Sequence, residues 1–288
     1  MGTADLIPGV SGGTMALITG IYERLLGALS ALDANALRLL MQGKFKTFWK
    51  HIDGNFLLSL FTGILTAVFA LSKLVHFLLG HYPVPVWAFF FGLIAASAVF
   101  IIRQTAYKKL TTWLMVIAGA IIAWWITGLL PAEGPRTWWY LFLSGVAASI
   151  AMILPGISGS YILVILGSYL YVLQSVHELK IGNLAVFTAG VVTGLLGFSK
   201  ILKWFFQRHK NATLAVMGGF LIGSLRQVWP WKKVILTRWI EGKEIIIKTR
   251  PVWPSQYDGE AYTGLSIALM LLGVLLIIFF EKIRKKYG

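Results

Sequence analysis

The sequence predicts an all-α polytopic membrane protein made of two inverted-topology repeats, each a re-entrant broken-helix hairpin followed by three transmembrane helices. Three observations predict it. First, 57% of the 288 residues are hydrophobic and only 13% are charged, where a water-soluble domain carries roughly 25% charged residues. The mean hydropathy is +0.76. Second, LIPGVSGGTMALITGIYE at 6–23 returns as LPGISGSYILVILGSYL at 154–170. Pro8, Gly9, Ser11, Gly12, Gly20 and Tyr22 match Pro155, Gly156, Ser158, Gly159, Gly167 and Tyr169 at one constant offset. Third, Lys and Arg gather in alternate loops.

The elements follow in order. Apolar stretches at 1–40 and 138–176 hold the Pro-Gly breaks and are read as hairpins that enter the membrane and return to the same side. Broken backbone at membrane depth is tolerated only where it is buried in protein or lines a wet cavity. Six segments meet the span requirement of ~20 residues: roughly 56–80, 84–102, 111–130, 184–206, 212–229 and 262–281. Between 230 and 261, VILTRWI and EIIIKTR flank Glu241-Gly242-Lys243, a β-hairpin pattern with a Gly turn.

Loop charge sets the orientation. Arg38, Lys44, Lys46 and Lys50 lie in one loop, and Arg103, Lys108 and Lys109 in another. Arg208 and Lys210 occupy a short connection at 207–211, and Lys282, Arg284, Lys285 and Lys286 the tail. Placing all four groups in the cytoplasm puts both termini inside. The first hairpin then opens to the cytoplasm, and three crossings later the second opens to the exterior. The repeats are therefore expected to be inverted, with halves 1–130 and 138–281. A second match supports them: LSKLVHF at 71–77 aligns with FSKILKW at 198–204, and in the same register Gly63, Gly92 and Ser97 meet Gly190, Gly219 and Ser224.

A paired, broken segment in corresponding positions of two halves points to a transport site. Half-helix N-termini offer free N–H groups and partial positive charge to an anion. Gly9, Gly12, Gly13, Gly156 and Gly159 let backbone approach a ligand, while Ser11, Thr14, Ser158 and Ser160 add hydroxyls. The plainer reading is a kink that lets helices pack closely. Lys73 and Lys200 occupy equivalent places, one toward each mouth of the pathway. A charge within a span is a functional candidate, although Lys also snorkels to the interface. Arg226, near the outer end of its span, could clamp a phosphate or serve as an anchor. Asp5 and Glu23 are proton-coupling candidates. Asp5 could equally cap a half-helix, and Glu23 could pair with a basic residue. Trp124, Trp125, Trp138, Trp139, Trp229 and Trp231 read as an outer aromatic belt.

Composition also excludes chemistry. Without cysteine there are no disulfides, thiolate metal sites or Cys nucleophiles. No metal or cofactor is expected. The formal charge of +15 suits anionic lipid headgroups or substrates; nucleic acid is not an expected partner, and no cleavable signal peptide is visible. A homo-oligomer remains open.

At ADLIPGVSGGTMALITGIYE, residues 4–23, with LPGISGS and LGSY as its second copy, the chain resembles the PopT-type polyprenyl-phosphate transporter family of bacteria and archaea. The resemblance covers nearly the whole chain. It implies a plasma-membrane protein that returns undecaprenyl phosphate from the outer to the inner leaflet for reuse in envelope polymer synthesis. One departure is that only seven residues precede Pro8, where a two-armed hairpin is expected; either the arm is short or the start is truncated. Two other functions stay open. Opposed half-helix N-termini would also serve a small-anion transporter or channel for chloride or phosphate. A membrane lipid-phosphate phosphatase would need a nucleophile with a positioned base, and none of His51, His76, His81, His177 and His209 lies beside either Ser-Gly motif in sequence.

Overall fold

The computed structural model describes residues 1–5, 11–132, 134–240 and 243–287. Among them the helices are α1 (Gly2–Asp5), α2 (Gly12–Thr19), α3 (Tyr22–Ser30), α4 (Ala34–Met41), α5 (Phe45–His51), α6 (Gly54–His81), α7 (Pro83–Arg103), α8 (Leu110–Ile126), α9 (Trp138–Ile153), α10 (Gly159–Ile165), α11 (Tyr169–His177), α12 (Ile181–Ser224) and α13 (Thr263–Tyr287). Two strands, β1 (Lys232–Ile240) and β2 (Lys243–Pro251), pair antiparallel. The expected β-hairpin is therefore present; its Glu241-Gly242 turn lies outside the described residues.

Among the described residues, four helices are long and apolar enough to cross a membrane: α6, α7, α12 and the Thr263–Lys282 part of α13. The pair α10 and α11 passes the same test together but is bent by 109°, as a re-entrant or broken span would be. Three expected boundaries move. The span at 111–130 is α8, whose 17 residues reach only ~26 Å at ~1.5 Å per residue. It stops where Thr127 and Gly128 precede Pro131. The connection expected at 207–211 narrows to a kink at His209 (φ −136°, ψ 46°), where two helical segments of α12 meet. The span expected to reach 229 ends at Ser224, shortly before Trp229-Pro230, where proline disfavours helix in the residue before it.

The chain forms two compact units, Met1–Lys73 with Glu133–Thr213, and Leu74–Ala132 with Leu214–Gly288. Each unit draws one segment from each half of the sequence, so the packing units cut across the repeat. In the first unit the short helices α3 to α5 fold over the start of α6. Ala28, Ala36, Ile52 and Leu57 form their core, flanked by Leu25, Leu32, Phe48 and Phe56. Asp33 caps α4 by accepting from the Ala36 amide at 2.9 Å. That bond, and after it the nearby His51, holds the Asp33 carboxyl below the usual carboxylate range. Arg24 donates twice to Asp53, at 2.5 and 3.0 Å, with its guanidinium over Phe56.

In the second unit small residues bring helix backbones together. A Cβ on Gly92 would collide with the Met270 backbone of α13, and one on Gly219 with the Val116 carbonyl of α8. These glycines are equivalent in the repeat, as are Ser97 and Ser224. Both serines are fully buried and both return a hydroxyl hydrogen bond to their own helix, to Leu93 and Leu221.

The base of the β-hairpin is fixed to the second unit by aromatic residues. Trp229 stands edge-on to Phe91, Trp231 and Trp253, and the Trp229 and Trp231 indoles donate to the Val252 and Ala261 carbonyls. Trp231 is buried and Trp229 partly so, whereas Trp124, Trp125, Trp138 and Trp139 are exposed. The belt expected from sequence thus loses Trp229 and Trp231, which anchor the hairpin instead. Lys232 lies beside them. Its Nζ donates to the Gln227 carbonyl at 2.6 Å and sits 3.5 Å from the Trp87 ring centroid.

Candidate functional site

The two breaks meet in the first unit. Pro155 forces the residue before it out of helical geometry, and Leu154 is extended (φ −68°, ψ 134°). Helix α9 therefore ends at Ile153, leaving its last carbonyls without intrahelical donors. The other break supplies those donors. The Ser11 hydroxyl donates to the Met152 carbonyl at 3.1 Å and the Tyr22 hydroxyl to the Ile153 carbonyl at 2.9 Å. In return, the Gly156 amide donates to Thr14 Oγ1 at 3.0 Å. Gly13 permits this approach: a Cβ there would stand 2.6 Å from the Ile153 carbonyl oxygen.

Both copies share their local geometry. Ser11 and Ser158 precede their helices with extended backbones (φ −107°, ψ 135° and φ −94°, ψ 136°). Gly20 and Gly167 end the half-helices at φ 79° and 67°, a region that only glycine enters without strain. Tyr22 and Tyr169 then start α3 and α11. Pro155 lies three residues before the N-cap of α10 and acts as the stop signal of α9.

The copies differ in what their polar groups do. At the first break the donors are engaged within the protein. The Gly12 amide donates to Asp5 Oδ1 at 2.7 Å, the Gly13 amide to Ser11 Oγ at 3.1 Å, and Ser11 and Thr14 are buried. At the second break Ser158 makes no side-chain cap bond to its helix. Instead its hydroxyl pairs with that of Ser160 at 2.8 Å, and Ser160 is exposed. The accessible hydroxyls are thus those of the second copy.

Ser11, Gly12, Gly13, Thr14, Gly156, Ser158, Gly159 and Ser160 all belong to the first unit, with hydrogen bonds joining the two copies. Gly9 and Pro8 lie outside the described residues. Lys73 on α6 and Lys200 on α12 are exposed, and neither forms a hydrogen bond or ion pair with a break residue among the described residues. Arg226 belongs to the second unit, where its guanidinium lies over Trp124 at 5.0 Å and against Gly128. Glu23 pairs with Lys210 at 2.6 Å, both more than half exposed. Asp5 caps α2 through Gly12.

Two polar contacts escaped the sequence reading. Tyr22 was recognised as a repeat match but not as the donor that closes α9. Lys203, one turn beyond Lys200, donates to Ser30 Oγ at 3.1 Å and is the partly buried lysine of that helix segment. A helical wheel drawn through Ser199 and Lys203 would have placed Lys203 on the inner face. Among the described residues no group of three or more His, Asp or Glu residues is placed to hold a metal ion.

Comparison with known proteins agrees with the family resemblance carried by residues 4–23 and their second copy. The family described as "VCA0040-like: Undecaprenyl phosphate translocase-like" matches residues 1–245. A Vibrio cholerae protein named polyprenyl-phosphate transporter is 41% identical, with 99% of this chain and 94% of that protein covered. A Staphylococcus aureus protein of the same name is 34% identical, with 86% and 89% covered. No solved structure matches the chain. With its apolar helices and this similarity along most of its length, the chain is a multi-pass membrane protein that belongs to the VCA0040-like, undecaprenyl phosphate translocase-like family.

Proposed function

We propose that this protein carries a polyprenyl phosphate of the undecaprenyl phosphate type from the outer to the inner leaflet of a bacterial or archaeal plasma membrane, without covalent catalysis. The observation that carries the proposal is the pair of Pro-Gly-Ser-Gly breaks joined through Ser11, Thr14, Tyr22 and Gly156. One side of that junction is closed by internal hydrogen bonds, and the other presents Ser158 and Ser160. Two hydroxyls beside small residues suit the oxygens of a phosphate head. The names of the two relatives and of the family supply the substrate class.

In this reading Ser158, Gly159 and Ser160 contact the headgroup directly. Asp5, seated on the Gly12 amide, holds the first break in shape and is the proton-coupling candidate. Glu23, engaged with Lys210, serves in anchoring the α12 kink. Lys73, Lys200 and Arg226 are cations that raise the local concentration of phosphate heads, while the isoprenoid tail stays in lipid. The halves are inverted, both termini are cytoplasmic, and access alternates by movement of one repeat against the other.

The test uses the purified full chain in liposomes that contain polyprenyl phosphate, with external phosphatase reading how much substrate reaches the outer leaflet. Parallel vesicles read chloride and inorganic phosphate flux. The proposal expects lipid-phosphate movement, no small-anion flux and no phosphate release before phosphatase is added. Small-anion flux without lipid movement would replace the proposal with a channel, and phosphate release by the protein alone would make it an enzyme.

A further inference from the structure

The second hairpin carries a cation outside the residues named so far. Helix α9 runs to the break at Leu154, and α10 returns beside it. A Cβ on Gly159 would meet the Ala148 carbonyl, the Ser168 hydroxyl pairs with that of Ser144 at 2.7 Å, and the Tyr140 hydroxyl donates to the Leu166 carbonyl at 2.7 Å. Ser158 and Ser160 therefore stand at the closed end of this hairpin, with Tyr140 and Leu166 at its mouth. The 7 residues of α10 separate the two ends by about 10 Å, at ~1.5 Å per residue. Gly134 brings the segment before α9 across the mouth: a Cβ there would collide with the Leu166 carbonyl and the Tyr140 ring. Two residues on, Arg136 is exposed, its guanidinium 5.9 Å from the Tyr171 ring centroid.

Tyr171 is itself held. Asn183 Nδ2 donates to its hydroxyl at 2.9 Å and to Ser175 Oγ at 3.2 Å. Arg24 and Phe56 occupy the positions of Tyr171 and Asn183 in the first copy of the repeat. They touch as well, with the Arg24 guanidinium 4.5 Å from the Phe56 ring centroid. Arg24, however, spends its donors on Asp53. Among the described residues no carboxylate, carbonyl or hydroxyl accepts from Arg136. Glu178, at the end of α11, is taken by Lys180 at 2.6 Å and by Gln174 at 2.7 Å. Each copy thus sets a guanidinium against an aromatic ring, neutralised in the first and unspent in the second. The hydroxyls of the two breaks divide in the same way.

We infer that Arg136 captures the phosphate monoester head of the lipid substrate at the mouth of the second hairpin, before the head reaches Ser158 and Ser160, a role that rests on the proposed function. Trp138 and Trp139 are exposed beside it, and such rings gather at the level of the lipid heads, so Arg136 meets a phosphate without leaving the interface. Its planar fork offers parallel N–H donors to two phosphate oxygens. The Tyr171 face steadies the cation without consuming those donors. A phosphate monoester, with three terminal oxygens and nearly two negative charges, gains more from the fork than the diester of a bulk phospholipid. Tyr171 and Asn183 act through Arg136 and are positioning residues.

The test is the initial rate of lipid movement in liposomes holding the purified full chain, measured as the polyprenyl phosphate content is raised. Arg136→Gln should raise the half-saturating content about tenfold, the loss of one charge-assisted contact. Its maximal rate should stay within about twofold of wild type, and its melting temperature should hold. Arg136→Lys keeps the charge without the fork and should fall between the two. Tyr171→Leu should raise the half-saturating content about threefold. Lys180→Gln removes a cation already paired with Glu178 and should leave the content unchanged. An unchanged half-saturating content in Arg136→Gln, or an equal rise in Lys180→Gln, overturns the inference and leaves the proposed function standing. A wild type that moves no lipid phosphate removes both.

Discussion

Thr14 Oγ1 accepts the Gly156 amide at 3.0 Å, a buried hydrogen bond between residues 142 positions apart in the chain. It ties the first copy of the repeated motif to the second at the point where each departs from helix. Thr14 itself is fully buried, so no water can replace it.

Replacing Thr14 by valine keeps the shape of the side chain and removes the acceptor. The Gly156 N–H is then buried without a partner, at a cost of about 1–3 kcal/mol. Thr14→Ser restores the acceptor and should recover most of that loss. Thermal unfolding of the two variants in detergent measures the difference, and equal melting temperatures would remove the bond from the account.

Two glycine substitutions separate close approach from simple helix propensity. Gly13→Ala places a Cβ against the Ile153 carbonyl and should destabilise by about 1–3 kcal/mol through overpacking. Gly27→Ala meets nothing within 4 Å and lies inside α3, where alanine is the better helix former by up to ~1 kcal/mol. It should be neutral or stabilising. Denaturation of both variants under one condition checks the sign of each effect.

The hydroxyls of the two copies should fail differently. Ser11→Ala breaks a bond that closes α9 and should lower stability by roughly 1 kcal/mol or more. Ser158→Ala and Ser160→Ala remove hydroxyls that, among the described residues, bond each other, and should leave the stability within about 0.5 kcal/mol of wild type while slowing lipid movement. Paired melting and transport measurements on the three variants discriminate the roles. A large loss of stability in Ser158→Ala would assign it to structure.

The hairpin should dock in a pH-dependent way. Burial pushes the Lys232 ammonium down to about 7 from its usual 10.5, because its charged tip is enclosed by Trp87 and Gln227. The Trp87 face and the Gln227 carbonyl favour the cation and oppose part of that shift. Below about pH 7 both folded and unfolded forms are protonated, and the full cost of enclosing the charge is present. Between about 7 and 10.5 the unfolded lysine holds the extra proton, so stability rises with pH. The protection of the Trp231 and Val252 amides, the intrinsic exchange rate divided by the observed one, should therefore rise from pH 6 to pH 9, and Lys232→Met should flatten that rise.

Much of this arrangement was legible in the sequence for identifiable reasons. The Pro-Gly-Ser-Gly breaks announce themselves because proline and glycine act on the backbone directly, so Gly20 and Gly167 take the same left-handed geometry that their shared position implies. The equivalence of Ser97 with Ser224 likewise reflects one helix periodicity repeated. The partners were harder to read. That Ser11 would cap α9 depends on a contact 141 residues away, which no local spacing encodes. The first break was expected to offer its amides to a ligand, yet Asp5 already accepts from Gly12. Lys73 and Lys200 stood out because they match in the repeat, but exposure depends on what packs against each helix, and it is Lys203 that turns inward to Ser30. The helix ends at Ile126 and Ser224 followed local Gly and Pro signals that the average hydropathy of the spans concealed.

The central claim is that the joined breaks move a lipid phosphate through Ser158 and Ser160. The most direct measurement is the amount of undecaprenyl phosphate exposed on the outer surface of cells that lack the protein, complemented with wild type or with the Ser158→Ala, Ser160→Ala double variant at equal membrane abundance. The account predicts that surface undecaprenyl phosphate accumulates without the protein, falls to the normal level with wild type and stays high with the double variant. Full clearance by the double variant would contradict it.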